Sequence, residues 1–225
     1  MNFNTLCQKL IDAWLAHENQ GNVTPDMIYA DVLASISVRS RLAVVNVESE
    51  DAGEWLLQTI RNYKLPGRMP NFNAFISDGR LSAIKDQAYL EKSVYPSYRR
   101  AVEQRVPVID SVEARIAGIK VVYDRIILPQ KGPERPRWLI IYTYGRFMAH
   151  VPERVFDLDG TDEEIVIALI NGLTSKEIAI QVNLSHRTIE HRIERMKKRF
   201  EARSLPHLTA LLVSAGFDKA IRHQD

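Results

Sequence analysis

From Phe3 to His17 the apolar residues Phe3, Leu6, Leu10, Ala13 and Trp14 fall three and four apart, the spacing of an amphipathic helix. Thr24 followed by Pro25 is a cap with proline at the first helical position, and predicts a second helix to about Ile36. LAVVNV (Leu42–Val47) reads as a strand. EDAGEWLLQTIRNY (residues 50–63) predicts a helix, and LPGRMPN (Leu65–Asn71) a loop. Phe72–Ile76 reads as a short strand closed by the turn signal Asp78-Gly79. Ser82 to about Gln104 is helical in composition, with Pro96 expected to break or kink it.

From Pro107 the period changes. VPVIDSVEARI, IKVVYDRIILP and RWLIIYTYG are three β-branched and aromatic runs, divided by Ala117-Gly118 and by the proline-rich QKGPERPR. Strands joined in this way form an antiparallel meander, so helices plus meander predict an α+β domain. HVPERVFDLDG (His150–Gly160) marks a linker, and beyond it the pattern is helical throughout. The expected organisation is a regulatory, sensor-like α+β domain at 1–150, a linker at 151–157 and an all-α domain at 158–225.

Composition adds little. Of 225 residues, 45% are hydrophobic and 26% charged, which permits a packed core, and a net charge of +2 favours no partner class. The single cysteine, Cys7, excludes an intramolecular disulfide and an all-cysteine metal site. The opening MNFNTLCQKLIDAWL has no basic leader pattern, and no stretch reaches about 18 apolar residues. These features lead us to expect a soluble, cytoplasmic protein with no membrane partner.

The helical end carries the chemistry. Thr161-Asp-Glu-Glu164 fits a capping box opening a helix that should stop at Asn171-Gly172. Thr174-Ser-Lys-Glu177 is a second capping box, opening a short helix with Ile178, Ala179 and Val182 inward. Asn183 suits the left-handed turn after it, and Ser185 caps a third helix with Ile189, Ile193, Met196 and Phe200 on one side. A short helix, a tight turn and a long basic helix make a helix-turn-helix. Arg187, Arg192, Arg195, Lys197, Lys198, Arg199 and Arg203 stand against Glu190, Glu194 and Glu201. That local excess of four positive charges suits a line of phosphates.

Gly172-Leu-Thr-Ser-Lys-Glu-Ile-Ala179, Leu184-Ser185, Thr188-Ile189 and the tail Arg203-Ser-Leu-Pro-His-Leu208 resemble the LuxR/GerE (NarL/FixJ-type) helix-turn-helix family of bacterial transcription regulators. The likeness spans Leu158–Phe217. It implies a four-helix module that binds double-stranded DNA as a homodimer, with the fourth helix (about Pro206–Gly216) at the dimer contact. By family position Glu190, His191 and Glu194 face the major groove, where a carboxylate accepts from cytosine N4 and histidine donates to guanine. Arg187 and Thr188 fall nearer the phosphates, with Thr174, Lys176, Arg195 and Lys198 as further backbone contacts beside the capping Ser185. Glu190 and Glu194 also fit a simpler role, pairing with Arg187 or Lys198 along the helix. The family's opening Leu-Thr-Pro-x-Glu is Leu158-Asp-Gly-Thr-Asp162 here. Its usual histidine is Arg192, with His191 one place earlier.

For the first 150 residues, a phosphoacceptor receiver does not fit, because the chain begins with helices and the domain ends in a meander. An acyl-homoserine-lactone receptor would need a close Trp-Tyr-Asp-Trp set, whereas Trp55, Tyr63, Asp78 and Trp138 are wrongly spaced. The run from Tyr95 to Glu103 and the two strands after it resemble the end of PAS-like sensor domains. In that resemblance Tyr123, Arg125 and Trp138 line or flank the inner face of the sheet, where a small-molecule or protein signal would act. No flavin-adduct cysteine or haem ligand is apparent, so no cofactor is expected. Without a phosphate loop, a His-x-x-x-His pair or a Gly-x-Ser-x-Gly elbow, the chain does not read as an enzyme. The acidic run Asp157, Asp159, Asp162, Glu163 and Glu164 suits a helix N-terminus better than a metal. The expected function is transcription regulation under control of the N-terminal domain. The alternatives are an interaction adaptor that has lost specific DNA binding and a lactone receptor.

Overall fold

The computed structural model describes residues 2–17, 23–64, 75–116, 118–132, 134–150 and 158–215. They divide into two compact units, Met1–Ala117 with Val121–Met148, and Gly118–Lys120 with Ala149–Asp225. The expected linker at 151–157, the loop at 65–71 and the first three residues of the strand expected at 72–76 lie outside the described residues.

The first unit is α+β. Helix α1 (Phe3–Ala16) starts where the Asn2 side chain accepts from Thr5 N. Helix α2 (Pro25–Tyr29) tightens into a 3-10 turn at Ala30–Ser35. Strands β1 (Ser40–Asn46), β2 (Leu56–Arg61), β3 (Gly79–Arg80), β4 (Val108–Ile116), β5 (Ile119–Pro129) and β6 (Trp138–His150) form one sheet in the order β3-β2-β1-β6-β5-β4. The three expected meander strands are therefore neighbours, and β1 pairs antiparallel with β6 from Ser40↔Tyr144 to Asn46↔Trp138. This antiparallel sheet with flanking helices is the α+β class that the sequence implied.

Two segments depart from the sequence reading. Residues 50–63 are not a helix. Asp51 caps a single 3-10 turn at Ala52–Glu54, after which β2 returns along β1. Leu56 is exposed and Leu57 buried, an alternation the sheet selects once β1 offers an edge, and pairing overrides the helical propensity of Glu, Leu and Gln. Residues 82–104 are not one helix either. A 3-10 turn at Leu81–Ala83 precedes helix α3 (Gln87–Tyr89), a π turn at Leu90–Val94 and helix α4 (Tyr95–Gln104). Pro96 sits in the first turn of α4, where its missing N–H leaves no ladder bond unmade, and the π turn absorbs the change of register before it. Phe75 and Ile76 are in no strand; the turn signal at Asp78-Gly79 opens β3, with Gly79 at φ 122°.

Alternation along β6 divides the unit into two packed faces. Trp138, Ile140 and Tyr142 join Leu42, Ile126 and Leu128 beneath α1, where Phe3, Leu6, Leu10 and Trp14 are buried. Phe3 stacks on Tyr142 with centroids 5.8 Å apart, and Trp14 Nε1 donates to the Pro129 carbonyl at 2.6 Å. Ile141 and Thr143 turn to the other face, towards the π turn and α4. With both faces covered, β6 needs apolar residues at every position from Leu139 to Tyr142, which explains its unbroken run.

Candidate nucleic-acid interface and an interior cavity

The second unit is a small helical core: α5 (Gly160–Ile170), α6 (Ser175–Gln181), α7 (His186–Arg199) and α8 (Leu205–Ser214). Ile165, Leu169, Ile178, Ile189, Ile193, Met196, Phe200 and Leu211 are buried together. Its helix ends follow the local chemistry. Thr174 and Glu177 form the expected capping box, Thr174 N donating to the Glu177 carboxylate at 2.8 Å and Glu177 N to Thr174 Oγ1 at 3.4 Å. Asn183 takes the left-handed conformation at φ 54°, which closes α6 and sends Leu184 N back to the Ala179 carbonyl at 3.0 Å. Ser185 caps α7 by accepting from Thr188 N at 3.1 Å.

One cap differs from expectation. Helix α5 starts two residues earlier, capped by Asp159, which accepts from Asp162 N at 2.8 Å; Thr161 is inside the helix. The cause lies across the unit. Arg192 Nη1 reaches Asp159 at 2.8 Å and Asp162 at 2.6 Å, and Arg195 Nη2 reaches the other oxygen of Asp162 at 2.6 Å. Asp162 is only 3% exposed, so α7 is clamped to the first turn of α5 by a buried carboxylate. The hydrogen bond from Arg192 holds the Asp159 carboxyl below its usual range. Sequence reading assigned this acidic run to favourable charge at a helix start and missed the clamp. Its signal was present: two Asp three apart and two Arg three apart, each pair on one helical face.

Arg187, Glu190, His191, Glu194 and Lys198 are all exposed, at spacings of three, one, three and four that place them on the outward side of α7, opposite Ile189, Ile193 and Met196. Glu190 lies 3.6 Å from His186 Nε2 and Glu194 2.6 Å from Lys197 Nζ, so neither takes the Arg187 or Lys198 pairing considered from sequence. Thr188 is exposed on the flank, its hydroxyl 2.8 Å from that of Ser185. Thr174 and Lys176 are exposed at the start of α6, the Thr174 hydroxyl donating to Glu177 at 2.7 Å. Arg195 is the residue of this set turned towards the clamp.

The first unit holds an interior cavity of about 50 Å³ on the face opposite α1. Tyr123 and Arg125 line it. Trp138 does not; it lies on the other face beneath α1, one residue out of phase with the cavity-lining Leu57-facing side of the sheet. The Tyr123 and Tyr89 hydroxyls bond at 2.6 Å, as do Tyr63 Oη and Thr143 Oγ1. Burial pushes Tyr63, Tyr89, Tyr98 and Tyr123 above the usual phenol range, so all four stay protonated and neutral at pH 7. Arg125 is 1% exposed and meets Asp110 in two bonds, at 2.9 and 2.8 Å, while Ser97 donates to the same carboxylate at 2.7 Å. Burial alone would raise Asp110, but the bonds and charge of Arg125, the bond from Ser97 and the charge of Arg100 together hold the carboxyl below its usual range. Arg41, also on the wall and 6% exposed, was not found from sequence. Its Nη2 donates to Thr59 Oγ1 at 2.6 Å and to the Ile76 carbonyl at 3.1 Å, while its buried Nε has no hydrogen-bond partner among the described residues.

Among the described residues no group of His, Cys, Asp or Glu is placed to hold a metal ion, and no helix is long and apolar enough to cross a membrane.

Residues 161–212 match the model of the bacterial regulatory proteins of the luxR family. The transcriptional regulatory protein FixJ of Rhizobium meliloti (strain 1021) is 37% identical over 65 residues, which are 28% of this chain and 31% of FixJ. The match thus spans about a third of the length of that relative. Among solved structures, the phage VqmA–DPO complex aligns over 86% of this chain and 92% of its own, at 20% identity and a TM-score of 0.37. Escherichia coli SdiA aligns over 96% and 99%, at 13% identity and a TM-score of 0.29. The capping box at Thr174, the left-handed Asn183 and the Ser185 cap fall inside the segment matched by the family model, and that helical segment is a LuxR-family helix-turn-helix domain.

Proposed function

We propose that the protein is a cytoplasmic transcription regulator that binds a two-fold symmetric site on double-stranded DNA as a homodimer, under control of its N-terminal domain. In this reading residues 1–150 form the regulatory domain, 151–157 the linker and 158–225 the DNA-binding domain. The observation that carries it is the outward face of α7, a helix fixed by a cap at one end and a two-arginine clamp along its side. A reading helix must keep its base-facing side chains in register with the groove, and a rigid mounting supplies that.

Glu190, His191 and Glu194 are assigned to base edges, and Arg187, Lys176 and Lys198 to phosphates, with Thr174, Ser185 and Thr188 close to the backbone at two helix N-termini. Arg195 reaches a phosphate only from its outer edge, because Asp162 holds one of its amino groups. The rival reading is an interaction adaptor without specific DNA binding, favoured by the two carboxylates on the same face.

Arg187→Ala and Lys198→Ala separate the two. On the regulator reading each weakens DNA binding on all sequences alike and reduces the slope of log affinity against log salt by about one. An adaptor gives no salt-dependent binding to reduce.

A further inference from the structure

We infer that the cavity of the N-terminal unit is a binding site for a short-chain carboxylate, held by Arg41. The lining residues include two arginines and no aspartate or glutamate. The two arginines are not equivalent. Arg125 is neutralised from behind the wall by Asp110, with both ends of its fork satisfied. Arg41 has no such partner. It is 6% exposed, its Nη2 is spent on a threonine hydroxyl and a backbone carbonyl, neither charged, and its Nε is buried with nothing to donate to among the described residues.

A guanidinium removed from water keeps its charge, and burial without a counter-ion or a full set of acceptors is unfavourable. A fold tolerates that arrangement when the missing acceptor arrives from outside. Arg41 Nη1 makes no hydrogen bond among the described residues and is not closed off as Nε is, and the residue lines the cavity, so an acceptor has somewhere to sit. A carboxylate oxygen against the guanidinium adds a charged acceptor where the hydrogen-bond partners among the described residues, Thr59 and Ile76, are neutral. The remaining wall limits what carries that oxygen. Leu57, Ile84, Leu90, Val94 and Ile141 are apolar, which favours an alkyl body over a polyhydroxylated one. A volume of about 50 Å³, against roughly 10–15 Å³ for one water on the same measure, holds a molecule the size of acetate or propionate. The tyrosines on this wall stay protonated at neutral pH and do not repel an anion.

This inference deepens the regulatory reading and rests on it only for the consequence at the DNA; occupancy of the cavity is measured without DNA. The experiment is a titration of the full-length ¹⁵N-labelled protein, in carboxylate-free buffer at pH 7, with propionate and separately with its neutral isostere propionamide. The arginine Nε–H resonances are followed. The expected result is a saturable shift of one arginine Nε–H with propionate, at least tenfold weaker or absent with propionamide, and lost in Arg41→Met. Because Arg41→Met removes a buried side chain and can unfold the unit, the comparison of the two probes on the unmutated protein decides alone if the variant does not fold. Equal responses to acid and amide, no saturable response to either, or a propionate response that survives in folded Arg41→Met overturns the inference. Saturable propionate binding in a protein that selects no DNA sequence keeps the site and removes the regulator, so the two claims fail separately.

Discussion

Two buried or half-buried charge clusters behave differently because their neighbours differ. Asp110 and Arg125 form a closed pair: the arginine side chain is 2% exposed and the carboxylate 21%. Removing one partner strands the other away from water, a loss of about 3 kcal/mol. Asp110→Asn is therefore expected to lower the unfolding free energy of the first unit by that amount, read from its urea transition. Trp14, Trp55 and Trp138 are the chain's three tryptophans and all belong to that unit, so their fluorescence reports its unfolding without the helical domain. The Asp162 side chain is more deeply buried, at 4%, but its arginines are 24% and 54% exposed, so the clamp is weaker. Asp162→Asn should cost about 1–2 kcal/mol of helical-unit stability, read by far-ultraviolet circular dichroism. The pH dependence follows from the lowered carboxyls. Asp110 and Asp159 both titrate below their usual range in the folded chain. Their stabilising contribution is complete above the unfolded aspartate value, near 4, and is lost as pH falls through the lower folded values. Neutral and mildly acidic solutions should leave both clusters intact, and in Asp110→Asn the acid-side loss of stability of the first unit should become shallower.

At the scale of elements, the helical unit is governed by its caps. Asn183 at φ 54° is the residue that lets α6 end and α7 begin within a few positions. Asn183→Ala should destabilise the unit by about 1 kcal/mol, and Asn183→Gly by nearly nothing, since only a Cβ resists that conformation. These helices were legible in the sequence because capping boxes, glycine and asparagine stops, and one-sided apolar spacing are local signals. Meander strands were equally legible, since alternating or unbroken β-branched runs have no helical reading. The hairpin strand β2 was not. Residues 50–63 hold good helix formers, and only a distant edge, β1, makes Leu57 an inward and Leu56 an outward position. The same limit applies to side chains. Nothing around Arg41 in the sequence distinguishes it from a surface arginine, because its burial comes from Thr59, Ile76 and the tyrosines beyond them. The resemblance to PAS-like domains places Trp138 on or beside the inner face of the sheet. Its phase along β6, shared with Ile140 and Tyr142, puts it under α1.

At the scale of the whole molecule, we propose that a LuxR-type helix-turn-helix reads a symmetric DNA site for a regulator whose other unit is an α+β domain with a largely apolar cavity that two arginines line. Homodimerisation enters because paired reading helices require half-sites about one helical turn apart. Glu190, His191 and Glu194 predict which bases are specified, and Arg187 and Lys198 predict how binding responds to salt. The most direct measurement is selection of bound sites by the purified full-length protein from a random duplex library at low salt, repeated with the carboxylate probe present. The expected result is enrichment of a two-fold symmetric site with half-sites roughly one turn apart, whose preferences relax at single positions in Glu190→Ala and Glu194→Ala. Absence of any enriched sequence under both conditions, from a protein shown to be folded, contradicts it.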